Sequence, residues 1–177
     1  MSIRAERRVP LPAVRRARTL AAPGAVMLSF PYVPQSENNW CWAACAEMLL
    51  RNSQSQCSVA SSQFQLTCCP SPRAPASCDR GAWPHLAYPP LGLPTQMVTG
   101  QLSLRRVQTE LASGKAVQVC YQWTGGNQTH VALIVGEHAN GDFEVLDPSS
   151  AYGRGARTFG QIQTAYGLGA WVRSFTF

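Results

Sequence analysis

From Cys41 onward the apolar residues Cys41, Ala44, Cys45, Met48 and Leu49 fall at i, i+3, i+4, i+7 and i+8. That stripe predicts a buried helix. Asn38 and Asn39 before it are good caps, and the pattern ends near Asn52 and Ser53. Upstream, Leu28, Phe30, Tyr32 and Pro34 alternate with other residues across 27–34, which predicts a short edge strand or an extended lead-in. A short helix is expected over 58–64. Ser103 caps another, with Leu104, Val107 and Leu111 inward and Gly114 closing it. Beyond it the period shortens to two. Val117, Val119, Tyr121 and Trp123 alternate, Gly125, Gly126 and Asn127 make a turn, and 130–135 is a nearly continuous apolar run, as in a central strand. A hairpin loop over 136–141 leads to a strand at 143–147, and 171–177 reads as the last strand. A helical half followed by an antiparallel sheet half is an α+β pattern.

Composition narrows the class. With 45% hydrophobic and 14% charged residues, the chain has too much apolar matter and too little charge for wholesale disorder. No apolar run reaches the roughly 18 residues of a membrane helix. The net charge of +6 sits mostly in residues 1–25, where six arginines face one glutamate. The basic character therefore belongs to an arm or pro-segment over 1–25. The domain over 26–177 carries no basic stripe of the kind nucleic acid requires. Pro23 and Gly24 interrupt the arm's apolar stretch and make a poor secretory signal.

Residues 53–100 form a loop-rich insertion holding Cys57, Cys68, Cys69 and Cys78. Structural zinc sites favour cysteine pairs two to four residues apart. These four are spaced otherwise, which favours disulfides, with the adjacent Cys68 and Cys69 taking different partners. Cys45 and Cys120 are either a third bridge or separate buried thiols. Six cysteines allow fifteen connectivities, and spacing does not choose among them. Seven cysteines in all are an odd count, which fits several bridges plus one free thiol, and such a load suits an oxidising compartment.

Cys41 is the candidate for that thiol. At the start of a helix, free N–H groups and the helix dipole favour a thiolate. His130 opens the apolar strand and would be held rigidly at its end. Asp147 closes the next strand, and a hairpin brings the two ends together. Gln35, six residues before Cys41, is placed to join the Cys41 N–H as an oxyanion donor. Trp42 is placed to shield the histidine–aspartate hydrogen bond from water. The bland alternatives are an inert thiol at Cys41, a Cys41/Cys45 redox or metal pair, a structural strand-end His130 and a plain turn residue at Asp147. His85 and His138 lie in loop-like sequence and read as surface residues.

Gln35, five residues, then Cys41, Trp42 and Ala43 resembles the papain-like cysteine protease motif. The fuller segment from Phe30 to Gln35 with Cys41-Trp42-Ala43-Ala44-Cys45 and Met48 is similar to two compact bacterial branches. These are effector cysteine proteases delivered by plant pathogens and peptidases that process bacteriocin leaders. Thr129-His130 followed by an apolar run to Gly136, then Asp147-Pro148, resembles the family's histidine strand and its Asp-Pro end. Trp40 departs from papain, which has a small residue there, and the cysteine-rich insertion replaces a large helical lobe. The resemblance implies a papain-like fold, with the nucleophile helix packed on a C-terminal antiparallel sheet. It implies an endopeptidase acting on proteins or peptides through Cys41, His130 and Asp147, with no metal or cofactor. A monomer is expected, secreted or delivered by a bacterium through a dedicated system, with a cognate inhibitor or immunity protein as a further partner. Acyl transfer of the transglutaminase kind, cleavage of cell-wall peptide, and a non-catalytic stapled binding domain are the rival readings.

Overall fold

The computed structural model describes residues 25–69 and 73–177. The arm read over 1–25 lies outside the described residues except for Ala25. The elements in chain order are β1 (Val26–Met27), α1 (Cys41–Leu49), α2 (Gln56–Phe64), α3 (Pro84–Ala87), a 3-10 turn (Pro89–Leu91), β2 (Gln96–Thr99) and α4 (Leu104–Ala112). Then follow β3 (Val117–Trp123), β4 (Thr129–Glu137), β5 (Phe143–Leu146), β6 (Arg154–Arg157), α5 (Phe159–Gln163), a second 3-10 turn (Ala165–Gly167) and β7 (Gly169–Thr176).

The strands form one antiparallel sheet in the order β2-β7-β3-β4-β5-β6, with β1 added to the far end of β4. Both faces of the sheet are covered. Cys120, Val131, Leu133, Val135, Leu146 and Phe175 point toward α1, α2 and the cysteine-rich segment. Val117, Val119, Ala132, Ile134, Phe143 and Val145 point the other way, toward Val107 and Leu111 of α4 and Ile162 of α5. A strand buried on both faces reads as a continuous apolar run, which explains the sequence of β4.

α1 is buried almost all round, with Trp42, Ala43, Ala44, Cys45, Ala46 and Met48 inside. Its N-cap is Trp40 and not an asparagine, and no side chain caps it. The Asn39 side chain instead donates to Asp79, its Nδ2 reaching the Asp79 carbonyl at 3.0 Å. Cys41 is thus the first helical residue, and its N–H has no acceptor within the helix. The Ser103 cap is present, its hydroxyl accepting from Arg106 N, but Leu104 is exposed and not inward.

Two bridges form, Cys57–Cys69 and Cys68–Cys78, so the adjacent cysteines do take different partners. Loops of this size contribute about 3 kcal/mol each by loss of unfolded-chain entropy. Cys41, Cys45 and Cys120 remain free. The chain therefore has three free thiols, not one, and Cys45 and Cys120 are buried without bridging.

Three elements carried no readable signal. β2 exposes every residue, β6 reads Arg-Gly-Ala-Arg, and α5 is a five-residue helix. β2 also shows that the end of the 53–100 segment belongs to the sheet. The strand expected over 27–34 shrinks to β1, after which only Leu28 N bonds to the sheet, at Val135 O. Gly136 permits this crossing: a Cβ there would lie 2.6 Å from Met27 Sδ and 2.7 Å from Val26 O.

Candidate active site

Cys41 at the head of α1 and His130 at the start of β4 line one cleft of about 320 Å³. Its walls come from three parts of the chain: Asn38, Asn39, Cys41 and Trp42; Gly81 to Pro84; and Trp123 with Gln128 to Val131. Cys41 is half-buried. His130 is buried, and Asp147 is completely so.

The antiparallel β4–β5 pairing sets Leu133 opposite Leu146, which brings the start of β4 beside the end of β5. His130 Nε2 lies 2.7 Å from Asp147 Oδ1, leaving Nδ1 free for another partner. Asp147 Oδ1 also accepts from Ser149 N at 2.9 Å, and Oδ2 accepts from the Tyr166 hydroxyl at 2.9 Å. Both oxygens of this buried carboxylate are therefore hydrogen-bonded, as burial demands.

Burial by itself would push the His130 pKa down. The hydrogen bond to Asp147, the contact with Cys41 and the charges of both together outweigh it, and the result is a rise from 6.5 to about 10. His130 therefore holds its proton at neutral pH. Burial raises the Tyr166 pKa well above its ordinary value, with Tyr121 and Asp147 adding to the effect, so its hydroxyl stays a donor. Cys45, one turn below Cys41, is raised mainly by burial, and Cys120 is pushed up to about 11 for the same reason.

An aromatic cluster encloses the His130–Asp147 pair. Trp123 stacks on His130 with centroids 5.7 Å apart, Tyr121 lies at 6.5 Å, and Tyr166 packs against Tyr121 and Tyr152. Trp42 faces elsewhere: its ring meets Phe64 at 5.7 Å and its Nε1 donates to Arg80 O at 3.0 Å. The cover read for Trp42 thus belongs to Trp123, because α1 turns the Trp42 ring into the insertion. Tyr166 and Tyr152 gave no sequence signal. Tyr166 is reached through a strained turn in which Ala165 (φ 46°) and Tyr166 (φ 62°) both adopt left-handed backbone.

Gln35 sits on a loop held from both sides. Its backbone N donates to Pro148 O at 2.8 Å, which ties it to the residue after Asp147. Gln56 clamps its neighbours, donating to Pro34 O and accepting from Ser36 N. The Gln35 amide nitrogen donates to the carbonyls of Glu37 at 2.9 Å and Asn38 at 2.8 Å, and its Oε1 is buried without a partner. Both Gln35 N–H groups are therefore occupied, and Gln35 is not among the cleft-lining residues. His138 pairs with Glu144 at 3.0 Å and His85 stacks on Phe175, so neither belongs to this constellation.

The model of the Peptidase_C39 like family matches residues 27–172. The fold is similar to the peptidase domain of Streptococcus ComA, a bi-functional ABC transporter involved in a quorum sensing pathway. The TM-score is 0.57 at 14% identity, over 83% of this chain and 96% of that one. It is also similar to a C39-like peptidase from Bacillus anthracis, with TM-score 0.53 and 14% identity over 86% and 96% of the two chains. At such identities these likenesses speak for the fold. No curated protein sequence matches. The chain belongs to the Peptidase_C39 like family and is a papain-like cysteine peptidase, a hydrolase.

Proposed function

We propose that Cys41, His130 and Asp147 act as a catalytic triad that hydrolyses peptide bonds within protein or peptide substrates. The observation that carries this reading is the 2.7 Å His130–Asp147 contact, on a fully buried aspartate, beside the free thiol of Cys41 in one cleft.

In this mechanism the thiolate of Cys41 attacks the scissile carbonyl carbon, and the proton it gave up resides on His130. Asp147 orients the ring through Nε2, so that Nδ1 serves the thiol. The tetrahedral oxyanion takes the free Cys41 N–H as a donor. Gln35 supplies a second donor once it releases one of its two carbonyl partners. His130 then gives its proton to the leaving amine, and the C–N bond breaks to leave a thioester. Water, deprotonated by His130, hydrolyses the thioester and regenerates Cys41. The two disulfides support a place outside the reducing cytoplasm, and we propose that the protein is secreted or delivered from a bacterial cell.

The test is cleavage of a mixed peptide library followed by mass spectrometry, with Cys41→Ala, His130→Ala and Asp147→Asn in parallel. The triad reading expects hydrolytic products from the parent protein, none from Cys41→Ala or His130→Ala, and strongly slowed cleavage by Asp147→Asn. Undiminished cleavage by Cys41→Ala would refute it. Transfer to an added amine in place of water would convert it to the acyl-transfer reading.

A further inference from the structure

The cysteine-rich segment does more than cover the core: it grips the residues on either side of Cys41. Asn39 N donates to Asp79 Oδ1 at 2.8 Å, and Asn39 Nδ2 donates to Asp79 O at 3.0 Å. Trp40 Nε1 donates to Cys78 O at 2.8 Å and Trp42 Nε1 to Arg80 O at 3.0 Å. Farther along, Ala74 N donates to Glu37 Oε1 at 3.1 Å. Three consecutive residues, Cys78, Asp79 and Arg80, thus hold Asn39, Trp40 and Trp42. Immediately after them, Gly81 to Pro84 form a wall of the cleft.

No side chain caps α1, so the direction of its first turn is set by these long-range bonds. Cys78 is itself pinned by the disulfide to Cys68, and both sulfurs are buried. The other bridge, Cys57–Cys69, has an exposed end at Cys69 and joins none of the three gripping residues. The two bridges therefore differ in what they can affect. One anchors the strap on the nucleophile, and the other lies away from it.

We propose that the segment Cys78–Arg80, anchored by the Cys68–Cys78 disulfide, is a working part of the catalytic site: through Asp79, a positioning residue, it fixes Cys41, so peptide cleavage depends on this disulfide and not on Cys57–Cys69. The proposal rests on Cys41 being the nucleophile. Small misplacements of a reacting group cost large factors in rate, so the effect falls on kcat and on the reactivity of Cys41 before it falls on folding.

The experiment uses the full chain. It compares kcat, KM, the rate of Cys41 alkylation by iodoacetamide, and Tm for Asp79→Ala, Asp79→Asn and the pair Cys57→Ser/Cys69→Ser. Asp79→Ala is expected to lower kcat and the alkylation rate about tenfold or more with KM little changed. Asp79→Asn, which keeps the acceptor oxygen, restores most of the rate. Cys57→Ser/Cys69→Ser keeps parental kcat at temperatures where it is folded. A graded dithiothreitol titration, with each bridge followed by mass, checks the disulfide without a mutation. Activity is expected to survive opening of the exposed Cys57–Cys69 bridge and to fall with opening of Cys68–Cys78. Parental kcat and alkylation in Asp79→Ala, or a change in Tm alone, overturns the proposal, as does activity lost in step with Cys57–Cys69. Cleavage retained by Cys41→Ala marks a failure of the nucleophile assignment itself, whatever Asp79 does.

Discussion

Tyr166 donates its hydroxyl to Asp147 Oδ2 at 2.9 Å, while the other oxygen, Oδ1, holds His130 at 2.7 Å. The two bonds approach a carboxylate with no exposed surface, so the phenol fixes the plane in which Asp147 meets the imidazole. Tyr166→Phe removes that bond without creating a cavity. It leaves a buried carboxylate oxygen unpaired, at a cost of about 1–3 kcal/mol. The expected result is a lower Tm and a lower kcat with KM nearly unchanged, read from thermal melts and steady-state kinetics on one peptide. Parental kcat in Tyr166→Phe would show that Ser149 N alone orients Asp147.

The pH dependence follows from His130. Its pKa is raised in the folded protein from 6.5 to about 10. The stabilisation from its protonated form is therefore complete below pH 6.5 and is lost as pH rises through about 10. Parental protein should lose stability across that window, and His130→Ala should lose less. Activity should show its alkaline limb near pH 10. In Asp147→Asn that limb moves down toward the ordinary histidine range. Urea melts at closely spaced pH values and a kcat/KM profile check both statements. An alkaline limb that stays in place in Asp147→Asn would contradict them.

Trp123 stacks on His130 at 5.7 Å, whereas Trp42 packs on Phe64. Trp123→Ala admits water to the His130–Asp147 bond and removes a stack worth about 0.5–1.5 kcal/mol. It should shift the His130 titration, followed by NMR, and reduce kcat up to about tenfold, the rate equivalent of that energy. Trp42→Phe keeps a ring against Phe64 and loses only the bond to Arg80 O, so it should leave the His130 titration in place.

Gln35 spends both N–H groups on the Glu37 and Asn38 carbonyls. If one is released to the oxyanion, Gln35→Ala should lower kcat by about 100-fold, as loss of an oxyanion donor does. If the amide only braces the loop, the loss is small and Tm falls instead. Gln56→Ala, which frees Pro34 and Ser36, should loosen the loop and reduce kcat while sparing the Cys41 alkylation rate.

The positions that meet in the cleft were legible in the chain because their constraints are local. Cys41 sits at a change from loop to helical period, and His130 and Asp147 bound two apolar runs joined by a short hairpin. Antiparallel pairing then brings those bounds together whatever else the chain does. The helix capped by Ser103 and the separate partners of Cys68 and Cys69 were equally local matters. Other features came from partners distant in sequence. Trp40 takes the N-cap position of α1, and the Asn39 side chain goes instead to Asp79, forty residues away. Trp123 covers His130 because β3 and β4 pair, and Trp42 is drawn to Phe64 because α2 packs on α1. Tyr166 reaches Asp147 through a left-handed turn that no side-chain pattern signals. Periodicity reports which face of an element is buried. It does not report which neighbour buries it, and that choice belongs to the packing of the whole chain.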